Sequence, residues 1–304
     1  MTDFTETERS QLRLASGLDK PLPREQNRIS PRRRFALTGK HLLLILLAGL
    51  TLAPVVLIIS TALKTDVDVK VDPFGLFTSF SFENIVNAWT QGGFSDYVWN
   101  SVLLTVPSTA LVLVLSTLAG YAFARLPFPG RTTLFYVVVL GLLVPFFTYM
   151  IPLFYQLRSL GLLDTLPGVI LVLTSTGVSF GTFFMRAFFT DLPVELDQAA
   201  RIDGASEWQI FHRIMLPLVG SGISALGVFT FLGAWNNFLV PLLYLPGGNF
   251  RPVTTGLYQF MSARLIDVGP LAAAALITIF PVLVLFVVLQ KQVATGFISG
   301  AVKG

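Results

Sequence analysis

The sequence predicts an all-α membrane protein. It crosses the bilayer six times, with both termini and a helix–turn–helix between spans 4 and 5 on the cytoplasmic side. Three observations predict this. Hydrophobic residues make up 53% of the 304 and charged residues only 12%, about half the roughly 25% of soluble domains, at a mean hydropathy of +0.72. The apolar residues collect in six long uncharged windows. The basic residues then sort to alternate sides of those windows.

Residues 1–40 read as a basic, disordered tail, with Arg32, Arg33 and Arg34 just ahead of the first apolar run. These charges orient the chain and attract anionic lipid, which explains the pI of 9.5 without nucleic acid. The tail is too long for a cleavable signal peptide, and the run after it has span length. The windows lie at 41–63, 97–124, 132–157, 165–185, 214–250 and 268–290. Each can cross a hydrocarbon core about 30 Å thick with about 20 helical residues. Lipid offers backbone groups no partner, so the windows are expected to be helices. The fifth is too long for one span, and its tail past about Leu245 is expected to be loop.

Sixteen Lys and Arg fall in the N-terminal tail, the 2–3 and 4–5 loops and the C-terminus; five fall in the other loops. Positive charge stays in the cytoplasm, which fixes the topology and a multi-pass location in the cell membrane. The 64–98 loop, with Asp66, Asp68, Asp72, Glu83 and Asp96 among aromatic residues, reads as a folded external segment. It is either a cap over the spans or a contact for a soluble partner. The six-span body covers 41–291, and 292–304 form a short C-terminal tail.

What is missing narrows the function. There is no cysteine, so disulfides, thiolate metal sites and Cys nucleophiles are excluded. No Lys, Arg, Asp or Glu sits inside a window, against proton relays, ion pathways and carboxylate or metal catalysis in the membrane. His41 lies at a window edge and His212 outside the windows, so neither supports an enzyme. No Gly-x-x-x-x-Gly-Lys-Ser/Thr loop occurs, so this chain does not bind ATP in the usual manner.

Residues 193–218 form a charged, amphipathic island between two spans. Pro193 suits a first helical turn, with Asp191 nearby as a cap. The helix is expected to run to about Ile202, break at Asp203-Gly204 and restart at Ser206, whose spacing to Gln209 is a capping box. Ala199, Ala200, Gly204 and Ala205 let another backbone approach closely, while Ile202, Ile210, Phe211 and Ile214 offer apolar knobs. Anionic headgroups would repel Asp197, Asp203 and Glu207, so a protein partner explains the island better than a lipid surface.

Here the chain resembles something known. Gln198-Ala199-Ala200, three residues, Gly204, nine residues, then Ile214-x-Leu216-Pro217 is similar to the EAA loop of ABC-importer permeases, with Gln198 where the family usually has Glu. Six windows, Trp235-Asn236-Asn237-Phe238 and an ending of Gly296 to Gly304 resemble the smaller permease subunit of maltose-type carbohydrate importers. The resemblance covers about 40–304. It implies that the loop 191–217 docks into a cleft on an ATPase subunit, and that Asp197, Gln198, Ala199, Ala200, Asp203, Gly204, Ala205, Phe211, Ile214, Leu216 and Pro217 carry that docking.

The implied partners are a second permease, two ATP-binding-cassette subunits and an extracytoplasmic sugar-binding protein. ATP and magnesium would be held by the ATPase, with no cofactor or metal in this chain. The C-terminal tail would reach toward the ATPase dimer. The 246–249 turn would enter the binding protein's cleft, or be only a tight turn.

An uncharged pathway favours a neutral sugar or oligosaccharide over a phosphorylated solute of the glycerol-phosphate type. Tyr149, Tyr155, Gln156, Trp235, Asn236 and Asn237 are the candidate pathway residues, offering hydroxyl, amide and aromatic groups. Trp235 equally suits an interfacial belt, and the asparagines equally suit helix–helix hydrogen bonds. A stand-alone secondary transporter or facilitator is the rival reading. A membrane scaffold without transport is a third.

Overall fold

The computed structural model describes residues 31–262 and 268–301. All regular structure among them is helical. The chain divides into two units at Pro54. The first unit is described from residue 31 and holds the start of helix α1 (Pro31–Ala62), whose Leu42 to Leu47, Leu50 and Leu52 are exposed. Most of the tail expected at 1–40 lies outside the described residues.

The second unit starts at Val55, within α1. Short helices α2 (Asp66–Val71) and α3 (Glu83–Thr90) fold the 64–90 segment. Its centre is Lys64, fully buried, whose ammonium donates to the Asp72 carbonyl at 2.7 Å. Asn84 Nδ2 donates to the Lys64 carbonyl at 2.8 Å, and Phe77 N–H to Ser60 Oγ at 2.7 Å. Polar satisfaction thus holds this segment where apolar area is scarce.

The long helices are α4 (Phe94–Arg125), α7 (Leu166–Thr190) and α13 (Val268–Ala301). Among the described residues, four helices are long and apolar enough to cross a membrane, and a fifth span appears if one bent pair is counted together.

The third window departs from expectation. It is two helices, α5 (Arg131–Leu140) and α6 (Phe146–Ser159), separated at Gly141–Pro145. Pro145 has no N–H to continue the ladder and disfavours a helical residue before it; its own backbone is extended (φ −62°, ψ 135°). The fifth window is α9 (Glu207–Leu218), α10 (Gly220–Trp235) and α11 (Leu239–Tyr244), with α9 and α10 bent by 74°. The helical part stops at Tyr244, as the excess length required. Helix α12 (Val253–Ser262) precedes α13.

The tightest pairing is α4 against α7, made possible by missing side chains. A Cβ on Gly120 would lie 2.7 Å from Met185 Cβ and 2.9 Å from the Arg186 backbone nitrogen. Gly181 faces Ser116 in the same way. Small residues at such contacts let helix backbones approach where the hydrophobic effect gives no drive.

Two apolar clusters sit at opposite ends of this pair: Tyr121, Met185, Phe189, Met215 and Leu226 at one, Leu104, Leu157, Val172, Val240 and Tyr244 at the other. Gly120→Val is expected to destabilise the chain by about 1–3 kcal/mol through overpacking. Gly220→Ala meets nothing within 4 Å and is expected to be neutral or better. Thermal melting of the detergent-solubilised protein checks both.

Candidate functional site

The island forms the helix–turn–helix read from the sequence, with a different entrance. Asp191 closes α7 as its C-cap, and α8 (Glu195–Ile202) starts from Val194, so Pro193 precedes the helix and Asp191 does not cap it. The Ala187 carbonyl, at the end of α7, already holds the Asp191 N–H. Gly204 makes the break at φ +79°, a conformation that costs an L-residue about 1–2 kcal/mol. The Gly204 N–H donates to Arg201 O at 3.1 Å and the Ala205 N–H to Ala200 O at 3.0 Å, so the last carbonyls of α8 are satisfied. The capping box is complete: Gln209 N–H donates to Ser206 Oγ (3.3 Å) and Ser206 N–H to Gln209 Oε1 (2.8 Å). Beyond it the chain widens into a π-helical turn over Ile210–Met215 before Pro217 and the bend into α10.

Helix α8 is sorted by its period. Val194, Gln198 and Ile202 are four apart and exposed, Ile202 at 85%, with Ala199 beside them. Asp203 and Gly204 extend this exposed face. Asp197 and Ala200 face inward instead, at 2% and 7% exposure.

The docking set expected from sequence therefore splits. Gln198, Ala199, Asp203 and Gly204 form a surface. Asp197, Ala200 and Phe211 do not, because they are packed inside the chain, Ala200 and Phe211 among Tyr121, Met185 and Phe189. Ala205, Ile214 and Leu216 are half-buried against the same cluster, and Pro217 is exposed. Ile210, taken as an outward knob, is fully buried there too. Ala200 is covered by its own chain.

Sequence reasoning missed what holds the island. Arg125, the last residue of α4, was counted only as a topology charge. Its side chain is 7% exposed and pairs with Asp197 at 3.4 Å. It also donates from Nε to the Phe189 carbonyl at 3.0 Å and from Nη2 to the carbonyls of Phe189 and Leu192. The Phe189 carbonyl lies in the last turn of α7 and the Leu192 carbonyl just past it, so the cation meets the negative end of the α7 dipole.

Burial pushes the Asp197 carboxyl above its ordinary range, against the pull of Arg125 and Arg201. Its Oδ1 has no hydrogen-bond partner among the described residues. A second link runs from Tyr121 OH on α4 to Glu207 Oε2 (3.3 Å), and Glu207 pairs with Arg201 at 2.7 Å. That pair is exposed and contributes little by itself.

The six pathway candidates do not converge. Trp235 is buried, donates Nε1–H to the Thr278 carbonyl at 3.1 Å and stacks on Phe231, so it fastens α10 to α13. Asn236 caps α10 and is exposed. Tyr155 and Gln156 are exposed on α6, and Tyr149 packs edge-on against Phe146. Asn237 borders a cavity. This cavity measures about 310 Å³ and is lined from α4 by Ser108 and Thr109, from α7 by Thr176, Gly177 and Phe180, and from α10 by Phe229, Thr230 and Gly233. Its lining holds hydroxyls, one amide and two aromatic rings, and no charge. Thr109 Oγ1 has no partner among the described residues, while Asn237 Oδ1 accepts from Val240 N–H at 3.0 Å.

The family model described as "Binding-protein-dependent transport system inner membrane component" matches residues 113–297, which span the island, the bend and the α7 and α10 walls of the cavity. The chain belongs to that family. It is 37% identical over 273 residues to the diacetylchitobiose uptake system permease protein NgcG of Streptomyces coelicolor, covering 89% of this chain and 90% of that one. It is 31% identical over 261 residues to the trehalose transport system permease protein SugB of Mycobacterium tuberculosis, covering 85% and 95%. Its fold matches a chain in the crystal structure of a bacterial ABC transporter that imports the acidic polysaccharide alginate, with TM-score 0.77, 21% identity and coverage of 90% and 99%. The chain is thus a membrane permease component of an import system.

Removing one member of the buried pair strands the other. Asp197→Ala is expected to destabilise the protein by about 3–5 kcal/mol. Gln198→Ala, one residue along on the exposed face, is expected to stay within about 0.5 kcal/mol. Melting of the two purified variants against the parent chain measures the contrast.

Proposed function

We propose that this chain is one of two permease subunits of an ATP-driven importer that moves a neutral sugar or oligosaccharide delivered by an extracytoplasmic binding protein. The observation that carries this reading is the island: an exposed face of Gln198, Ala199, Ile202, Asp203 and Gly204, rigidly seated on a chain without a nucleotide-binding loop. Such a face takes its input from another subunit, and an ATPase held at the cytoplasmic side supplies the energy. In this reading α5 and α6 together make a broken third span, α9 and α10 lead into the fifth, and both termini lie with the island in the cytoplasm. The charge distribution of the loops supports that orientation.

The substrate class follows from the cavity. Hydroxyl and amide groups suit sugar hydroxyls, and the rings of Phe180 and Phe229 suit the apolar face of a pyranose. A volume of about 310 Å³ lies at the lower end of small-molecule sites, about 300–1,000 Å³. The absence of a cation in the lining favours an uncharged solute over a phosphorylated one. The relatives named for diacetylchitobiose and trehalose uptake support the same class.

Two outcomes test this reading in a complex reconstituted with its ATPase and binding protein. Gly204→Asp is expected to abolish uptake and release the ATPase on purification, with membrane insertion intact; full uptake with normal co-purification would overturn the docking role. Gly233→Leu adds a side chain to the cavity wall at a point where a Cβ meets nothing within 4 Å. Its sugar uptake is expected to fall at least about tenfold. Unchanged uptake would move the substrate path elsewhere.

A further inference from the structure

Arg125 does more than stabilise the fold. We propose that it is the positioning residue through which movement of the island reaches the cavity, so that the island, α4 and α7 travel as one rigid body. The inference rests on the permease reading above and adds the route.

The island is joined covalently at both ends. Backward, 191–194 lead straight into α7; forward, the chain runs through α9 into α10, and this route is interrupted. It contains the π turn at Ile210–Met215, Pro217 and a 74° bend at Val219. Breaks of this kind interrupt the hydrogen-bonded ladder, so α9 and α10 are not one continuous rod. A third route runs sideways and is stiff. Arg125 joins Asp197 of α8 to the Phe189 and Leu192 carbonyls and to its own helix, α4, with all these groups withdrawn from water. The link from Tyr121 to Glu207 adds a second tie one helical turn away. From Arg125 the helix runs back to Ser108 at the cavity without a proline, since Pro107 lies one residue beyond. At 1.5 Å per residue that is about 26 Å of uninterrupted helix. Along it, Gly120 lets α4 approach the α7 backbone at Arg186, Gly181 leaves room for the Ser116 side chain, and both helices contribute cavity wall. A displacement of the island therefore arrives at Ser108, Thr109 and Thr176 with little loss. The α10 wall, reached through the bend, can stay behind, and the cavity changes shape.

The test separates transmission from folding. In the reconstituted importer, Arg125→Gln is expected to lower the sugar moved per ATP hydrolysed by about tenfold, within the usual range of coupling between sites. The ATPase should still co-purify, and Arg125→Lys should restore part of the ratio because it keeps the charge pair. A merely structural role would lower the amount of complex and leave that ratio unchanged, which would overturn the proposal.

A second measurement stands even if Arg125 variants fail to assemble. The chain has no cysteine, and Leu118 of α4 and Trp208 of α9 line one apolar groove and are 40% and 63% exposed. Joining Leu118→Cys to Trp208→Cys with a short bifunctional thiol reagent should leave uptake at the level of the single variants, because the two parts move together. Loss of uptake on cross-linking alone would show that the island must slide against α4. A parent complex that moves no sugar would instead overturn the permease reading and the route with it.

Discussion

A guanidinium is costly to remove from water, by several kcal/mol, and at the end of α4 one has been removed. That cost is offset only by good geometry, and the surrounding chain supplies it. Helix α7 stops at Thr190 and turns, which brings the Phe189 carbonyl to the Arg125 fork. Helix α8 follows after a gap short enough to place Asp197 against the same group. Ala200 is buried in the same apolar cluster as Tyr121 and Phe189. The amphipathic sorting of α8, with Val194, Gln198 and Ile202 outward, is then a consequence of which side the arginine holds.

At the cavity the governing constraint is the reverse. Nothing charged is present, so hydroxyls and one amide supply all the polarity there. Most of those hydroxyls are tied back to their own helices: Ser108 donates to Leu104 O at 2.6 Å and Thr230 to Leu226 O at 2.9 Å. A hydroxyl that donates to a carbonyl keeps its acceptor lone pairs, so the wall can accept hydrogen bonds without any rearrangement of the helices. Glycines set the spacing, with Gly177 beside Val112 and Gly233 open to the void. One region is thus fixed by a buried charge, the other by small uncharged side chains.

Much of this was legible from spacing. Apolar windows gave the long helices, Asp203-Gly204 gave the break, and Ser206 with Gln209 gave the second start, because each signal is local. The third window misled because hydropathy counts residues and does not register that Pro145 interrupts hydrogen bonding inside an apolar run. Which residues of the island face outward was not legible for a related reason: Asp197 and Ala200 sit in a list of acidic and small residues, and only tertiary packing turns them in. Arg125 itself lies 72 residues from Asp197, so no local pattern joins them. The packing of Trp235 against Phe231 and Thr278 likewise comes from residues no local pattern joins to it.

The outward stripe of α8 also bears on how such a protein is produced. An isoleucine 85% exposed beside Val194 and Ala199, at the tip of a short helix, forgoes about 1.5–3 kcal/mol of burial for as long as it stays in water. The helix cannot roll to hide it, because the clamp fixes its inner face. An unaccompanied copy therefore keeps a rigid apolar tip on display, open to non-specific association.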